Sequence, residues 1–286
     1  MKKNNSKFLL VNVSGGRSSA MMARHIQTSE IYNDYEKLFV FCNTGLERPE
    51  TIQFLKDQIK YWDLPLYLIE GVYSLKKGVG VKSKQVDFDT LNMDGKPFSQ
   101  AIEHLNKNEW CGVPNEAIPY CSEYLKKRVS EHFAKNVFGS TKFISAIGFR
   151  REDMPKRVTW KEVRMSKKKI FPLLTDFGNA VDQFELNRFF NEEKFKLQIH
   201  SRIGNCVYCQ KKSDRNLIEA IQFDLRKQDF KYIDWYRNQE KIYGNRFFRG
   251  NLSIDDLVKT AQCALNDGTQ LEMFSDIGEA CMCNSY

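Results

Sequence analysis

Two short stretches of the chain carry residue types that could do chemistry. The first is Ser14-Gly15-Gly16-Arg17-Ser18-Ser19, inside "VNVSGGRSSAMMARHI". Glycines let a backbone come close to a ligand, and N–H groups at a helix start point at an anion. The hydroxyls of Ser14, Ser18 and Ser19 add donors. The stretch lacks the Gly-Lys-Ser/Thr ending of a Walker loop and the third glycine of a dinucleotide loop. It reads as a phosphate loop or as an ordinary tight turn from strand to helix. The second stretch is Cys206-x-x-Cys209, in "GNCVYCQKKS". Such a pair binds zinc, holds an iron–sulfur cluster or performs dithiol chemistry. The other cysteines are Cys42, Cys111, Cys121, Cys263, Cys281 and Cys283. In a reducing compartment such a set points to metal or redox chemistry rather than disulfides. Cys42 and Cys263 sit in apolar patterns and read as packing residues. The four histidines, His25, His104, His132 and His200, show no ligand spacing and no triad partner, and read as structural.

These residues need elements to hold them. Apolar runs at 8–13, 37–44, 66–72 and 142–149 predict strands. Helices are predicted between them at 18–29, 48–62 and 121–137, the second with Pro49 in its first turn and Ile52, Leu55 and Ile59 along one face. Strand and helix in turn imply an α/β fold with a doubly wound parallel sheet, and ligand at the carboxyl ends of its strands. Residues 73–118 hold few apolar runs and read as an insertion near that face. After position 200 the pattern turns helical. Leu217, Ile221 and Leu225 share one helix, and Ser253 caps another carrying Ile254, Leu257, Val258, Ala261 and Leu265. The expected organisation is a nucleotide-binding domain over 1–205 and, over 206–286, the Cys-x-x-Cys segment with a helical C-terminal extension and a cysteine-bearing tail. No internal repeat is present.

The length of 286 residues and an apolar content of 42% allow a substantial core, and no run approaches the ~20 apolar residues of a membrane helix. The opening "MKKNNSKFLLVNVSGG" runs into a Gly-Gly turn rather than a cleavage site, so it reads as the first strand of a cytoplasmic protein. The net charge of +8 fits either a basic soluble protein or one with an anionic ligand, nucleotide or nucleic acid. The basic runs at 76–84 and 161–169 lack regular aromatic interleaving.

"SGGRSSAMMA" resembles the pyrophosphate loop of the adenine nucleotide α-hydrolase-like superfamily, and more closely that of the phosphoadenosine phosphosulfate (PAPS) reductase family. "FVFCNTGLERPETIQFLKD" is similar to that family's Asn-Thr-Gly strand end followed by Pro-Glu-Thr on a helix. "PYCSEYLKKR" resembles its Cys-x-x-x-x-Lys segment, and "AIGFRREDMPKR" its Gly-Ile-Arg-x-x-Glu-x-x-x-Arg segment. With "FPLLTDFGNAVDQF" and "GNCVYCQKKS", the match runs in order over roughly 8–215. In the family the loop more usually reads Ser-Gly-Gly-x-Asp-Ser. Ser18 stands where that acid would be, which counts against ATP cleavage to pyrophosphate.

The resemblance implies a Rossmann-like sheet and a set of roles. Ser14, Gly15, Gly16, Arg17, Ser18 and Ser19 would bind the phosphates. Asn43, Thr44 and Gly45 would lie by the adenosine, and Gly148 and Arg151 would complete the nucleotide site. Arg150 and Arg157 would neutralise sulfate or outer phosphate, for which guanidinium forks are suited. Glu152 and Asp153 would hold those arginines or a magnesium ion. Cys121, Cys206 and Cys209 would ligate a [4Fe–4S] cluster, with zinc as the rival. Cluster-binding members carry adjacent cysteines where this chain has Tyr120-Cys121, so Cys111, Cys281 or Cys283 would supply a fourth ligand, or one iron would stay open. Cys281 or Cys283, in the partly similar tail "GEACMCNSY", would be the nucleophile.

Three functions follow. The first is thiol-dependent reduction of PAPS or APS to sulfite, with a thioredoxin-like reductant as partner. The second is an ATP pyrophosphatase-type sulfurtransferase that adenylates a nucleobase or nucleic acid and delivers sulfur through the cluster. The third is a zinc-stapled, non-catalytic module that binds nucleotide or nucleic acid.

Overall fold

The computed structural model describes residues 7–107, 112–200, 202–204 and 206–266. Six strands form one sheet: β1 (Lys7–Asn12), β2 (Tyr35–Asn43), β3 (Leu66–Val72), β4 (Lys82–Val86), β5 (Ile144–Ala146) and β6 (Lys169–Ile170). Their order is β4-β3-β2-β1-β5-β6. All pairings are parallel except that of β4 with β3.

The strands are near-continuous apolar runs because both faces of the sheet are covered. Successive side chains alternate between faces. Leu9, Val11, Phe39, Phe41 and Leu68 pack on one side with the apolar stripes of α1 (Arg17–Thr28), α2 (Pro49–Trp62) and, later in the chain, a helix at 183–192. Leu10, Leu38, Val40, Cys42 and Ile69 pack on the other with Val129, Phe133 and Phe138. The chain is therefore an α/β protein with a mostly parallel sheet flanked by helices.

Segment 73–118 is more regular than its composition implied. It contributes β4 and α3 (Lys96–Lys107), whose Phe98, Ala101 and Ile102 are buried. β4 lies at the sheet edge, and its Lys84 pairs across the strands with the buried Glu70 at 3.0 Å. The expected helix over 121–137 is interrupted. A π turn at Glu123–Lys127 precedes α4 (Arg128–Phe138). The last expected strand shrinks to the three residues of β5.

The remaining helices are α5 (Trp160–Met165), α6 (Pro172–Thr175), α7 (Gln183–Glu192), α8 (Asp214–Lys227), α9 (Lys231–Tyr243) and α10 (Ile254–Asn266). The Ser253 hydroxyl accepts the Asp256 N–H at 3.1 Å and so caps α10. Leu217, Ile221, Tyr232, Tyr236 and Leu257 from these helices share a second core with Leu46, Phe98, Ile102 and Leu125, and Cys206 and Cys209 belong to it. Among the described residues no helix is long and apolar enough to cross a membrane.

Candidate functional site

The chain leaves β1 into the 14–19 loop at the carboxyl edge of the sheet. Gly15 has φ +77°, and a Cβ there would stand 2.4 Å from the Thr51 Cγ2 of α2. Only glycine fits both that backbone and that space. Ser19 is buried and shapes the loop from within: its hydroxyl donates to the Gly16 carbonyl at 2.9 Å and accepts the Ser14 N–H at 3.0 Å. The Ser14 and Ser19 hydroxyls are 3.0 Å apart. Gly16 is the N-cap of α1, with no side-chain cap and no acid in the first turn. The positive end of this helix thus has no anion of its own beside it. Gly148, just past β5, lies against the same turn: a Cβ there would be 3.1 Å from the Ser18 carbonyl oxygen.

Two arginines join this loop through α7. Arg17 donates from Nη1 to the Asn187 Oδ1 at 2.8 Å, and the Gln183 Nε2 donates to the same oxygen at 2.8 Å. Arg150 donates to the Gln183 Oε1. Arg150 is 3% exposed, and its Nε has no hydrogen-bond partner among the described residues, with Glu152 3.9 Å away. Asp153 accepts the Arg150 N–H at 2.8 Å and the Arg157 guanidinium at 2.6 Å, while Glu152 accepts the Gln183 N–H at 2.7 Å. The two acids therefore order the arginine segment and the start of α7. Arg157 lies over the Phe149 ring, 4.5 Å from its centroid. Arg151 is exposed, with its backbone N–H on the Val181 carbonyl.

Asn43, Thr44 and Gly45 end β2 in a buried knot. The Asn43 amide donates to the Glu70 Oε1 and the Asn92 carbonyl, both at 2.7 Å. Glu47 accepts from the Thr44 hydroxyl at 2.8 Å and from the Thr44 and Gly45 N–H groups. Burial pushes the Glu47 carboxyl above the usual carboxylate range, with Lys126 opposing the shift. Gly45 has φ +85° and leaves no room for a side chain beside Gly95. Of the three, Thr44 also reaches a cavity.

That cavity is lined by Cys121, Cys206 and Cys209 together with Thr44, Lys126 and Tyr236. Three cysteines far apart in sequence thus share one space. Cys206 and Cys209 are buried and Cys121 is half-buried. The Gln210 amide donates to the Cys121 sulfur at 3.6 Å. The Tyr236 hydroxyl donates to the Tyr208 carbonyl at 3.0 Å. Burial pushes its phenol well above the usual range, and the neighbouring thiols add to the shift. The donor set suits a thiophilic metal in kind. As placed, no three His, Cys, Asp or Glu side chains among the described residues form a metal-holding group.

The cysteine loop is fastened from several sides by residues that carry no motif. Val207 N–H donates to the Leu46 carbonyl at 3.0 Å. The buried Lys212 ammonium donates to the Val207 carbonyl at 2.8 Å and to that of Gly204 at 3.2 Å. Tyr208 donates to the Asp224 Oδ2, whose carboxylate also takes the Arg48 guanidinium at both oxygens. Arg48 reaches back through Nε to the Ile203 carbonyl at 3.1 Å. These partners lie too far apart in sequence for spacing to reveal them. Gln183 and Asn187 belong to no motif either; their one signal in the sequence is the i,i+4 spacing behind the Asp182 cap.

Cys42 is buried under α4 as expected, and burial pushes its thiol up to about 12. Cys263 is exposed on α10 rather than packed. Cys111, Cys281 and Cys283 lie outside the described residues, so the nucleophile and fourth-ligand expectations have no structural counterpart here. His25 pairs with Asp176 at 2.9 Å and His104 is buried against the Ser74 carbonyl, both structural contacts.

No family model matches this chain. It is 26% identical over 264 residues to the uncharacterized nin region protein ORF290 of Escherichia phage lambda, covering 87% of this chain and 83% of that protein.

Proposed function

We propose that this chain is an enzyme of the adenine nucleotide α-hydrolase-like type, akin to PAPS reductases, that binds an adenine nucleotide at the carboxyl edge of its sheet and performs sulfur chemistry there. The observation that carries the proposal is the convergence of Cys121, Cys206 and Cys209 on one cavity with Thr44, at the end of the strand next to the 14–19 loop. A phosphate would take the backbone donors at the uncapped start of α1. The buried Arg150, whose Nε makes no hydrogen bond among the described residues, would take the sulfate or outer phosphate. Arg17 and Arg157 would add charge, Gly148 would keep the loop close to β5, and Asn43, Thr44 and Gly45 would fix the end of β2 beside the nucleoside. Arg151, being exposed, would meet the ligand from the rim.

In the leading reading the substrate is PAPS or APS. The thiolate of Cys281 or Cys283 attacks the sulfur, and the bond from sulfur to the phosphate oxygen breaks. The products are an enzyme S-sulfonate and the adenosine phosphate. A thioredoxin-like dithiol then attacks the enzyme sulfur and releases sulfite. Its second thiol frees the enzyme cysteine, and the partner leaves as a disulfide. Cys121, Cys206 and Cys209 would hold a [4Fe–4S] cluster, with zinc as the rival occupant; such a group would supply a soft centre for sulfur. The three-thiol cavity also favours a second reading, in which ATP activates a nucleobase or nucleic acid and sulfur is delivered from that cavity.

The deciding experiment purifies the full chain without oxygen, measures iron, sulfide and zinc, and offers it PAPS, APS or ATP. Sulfite from PAPS or APS with thioredoxin supports the first reading. Pyrophosphate from ATP, stimulated by nucleic acid, supports the second. Zinc without iron, and no turnover of any of the three, would sink both and leave a zinc-stapled binding module.

A further inference from the structure

We infer that the chain binds single-stranded nucleic acid on the surface formed by α5 and the cleft beside it. The charge is concentrated there. Positions 156–169 hold seven Lys or Arg and one acid, a net charge of +6 within fourteen residues; of the seven, Arg157 is paired with Asp153 at 2.6 Å. The one acid, Glu162, is spent locally: it accepts the Thr159 N–H at 2.7 Å and hydroxyl at 2.8 Å in the capping box of α5. Lys161, Lys167 and Lys168 are exposed and make no ion pair among the described residues. Segregated charge of this kind is the footprint of a polyanion site rather than of general solubility.

The cleft supplies what a polyanion patch alone lacks. It is open and is lined by Ile147, Phe149, Val158 and Phe171, with Arg157, Lys169 and the cap acid Glu162 among them. Phe149 and Phe171 stack at 5.8 Å and 13°. Ile147 and Phe149 follow β5 and Phe171 follows β6, so the cleft opens at the same sheet edge as the 14–19 loop, with Gly148 between them. Helix α5 buries no residue, and its Trp160 and Met165 are 47% and 68% exposed. Exposed aromatic surface beside lysines, over an apolar cleft, suits unstacked bases and their phosphates, whereas duplex DNA keeps its bases stacked.

The test uses the full chain without any mononucleotide, so its failure leaves the nucleotide proposal standing. Fluorescence anisotropy with fluorescein-labelled oligo(dT) and oligo(U) is titrated between about 50 and 200 mM salt. Binding is expected to weaken with salt. Combined Lys161→Ala, Lys167→Ala and Lys168→Ala should weaken it at least tenfold and make the salt slope shallower by about 2, at roughly 0.7 per phosphate contact. Trp160→Ala should weaken it about 5- to 100-fold and leave the slope unchanged. A charge-matched control, Lys56→Ala with Lys135→Ala and Lys142→Ala, should bind like the parent. Far-ultraviolet circular dichroism monitors folding, which the absence of buried residues in α5 should preserve. No binding overturns the inference. So do equal losses in the control, a duplex bound as tightly as the single strands, or heparin alone bound with Trp160→Ala silent, the last pointing to an acidic partner of another kind.

Discussion

Arg48 and Asp224 stand 176 positions apart and meet in a buried two-pronged ion pair, the guanidinium 3% and the carboxylate 1% exposed. The pair joins the start of α2 to α8. Through Tyr208 it also fixes the loop that carries Cys206 and Cys209. Removing one partner of a buried pair strands the other charge, which costs about 3–5 kcal/mol. Asp224→Ala is therefore expected to lower the unfolding free energy by that order, read from urea denaturation. Arg48→Met with Asp224→Leu should recover most of the loss. An Asp224→Ala protein as stable as the parent would show that the pair holds nothing together.

Gly15 is tightly constrained within the 14–19 loop. Alanine there meets both a left-handed backbone and the Thr51 side chain at 2.4 Å. The combined strain and overpacking should cost about 2–4 kcal/mol. Gly148→Ala meets the Ser18 carbonyl at 3.1 Å, a contact that a small shift of α1 can relieve, so it should cost about 1 kcal/mol. Both variants should weaken ATP and PAPS binding in calorimetry, Gly15→Ala by more. Unchanged affinity in both would place the nucleotide elsewhere.

The buried Cys42 thiol makes a prediction about alkaline pH. Its unfolded value lies near 8.5 and burial raises the folded value to about 12. A raised folded value means that the stabilising contribution is complete below about pH 8.5 and is lost as pH climbs toward 12. At about 1.4 kcal/mol per unit, the loss from this group approaches 4–5 kcal/mol at the top of that range. The Tyr73, Tyr208 and Tyr236 phenols, raised by burial, act in the same direction. Urea midpoints should be flat from pH 7 to 8 and fall thereafter. Iodoacetamide at pH 8 should label Cys263 and spare Cys42.

The cysteine cavity predicts a shared loss. Cys121→Ser, Cys206→Ser and Cys209→Ser should each lower the bound iron or zinc of anaerobically purified protein by more than half, while Cys263→Ser should leave it unchanged. Chelation of the native protein should lower its melting temperature. Equal metal content in all four variants would remove the metal from this cavity.

The first, second, third and fifth strands were legible because apolar runs such as "FLLVNV" and "KLFVFC" announce a sheet covered on both faces. Strand β4 was not, because "KSKQV" at an edge is polar and has no apolar run to mark it; Lys84 there meets the buried Glu70 across the strands. Helix α3 was hidden by the Gly, Asp and Lys around it, although Phe98, Ala101, Ile102 and Leu105 have helical spacing. In the site, the glycines and the Cys-x-x-Cys announced themselves through local chemistry. Arg48, Asp224, Tyr208 and Gln183 did not, because their roles come from partners brought close only by folding.

The widened turn at Glu123–Lys127 sets the bearing of Cys121. Helix α4 is locked to the sheet through Val129, Phe133 and Phe138, while Cys121 lies on the far side of the π turn. Each residue of an α-helix turns the chain by about 100°. Deleting one residue from the bulge would restore regular winding and swing that sulfur about a quarter-circle away from Cys206 and Cys209, with α4 undisturbed. The convergence of the three thiols is thus written into a single surplus amino acid.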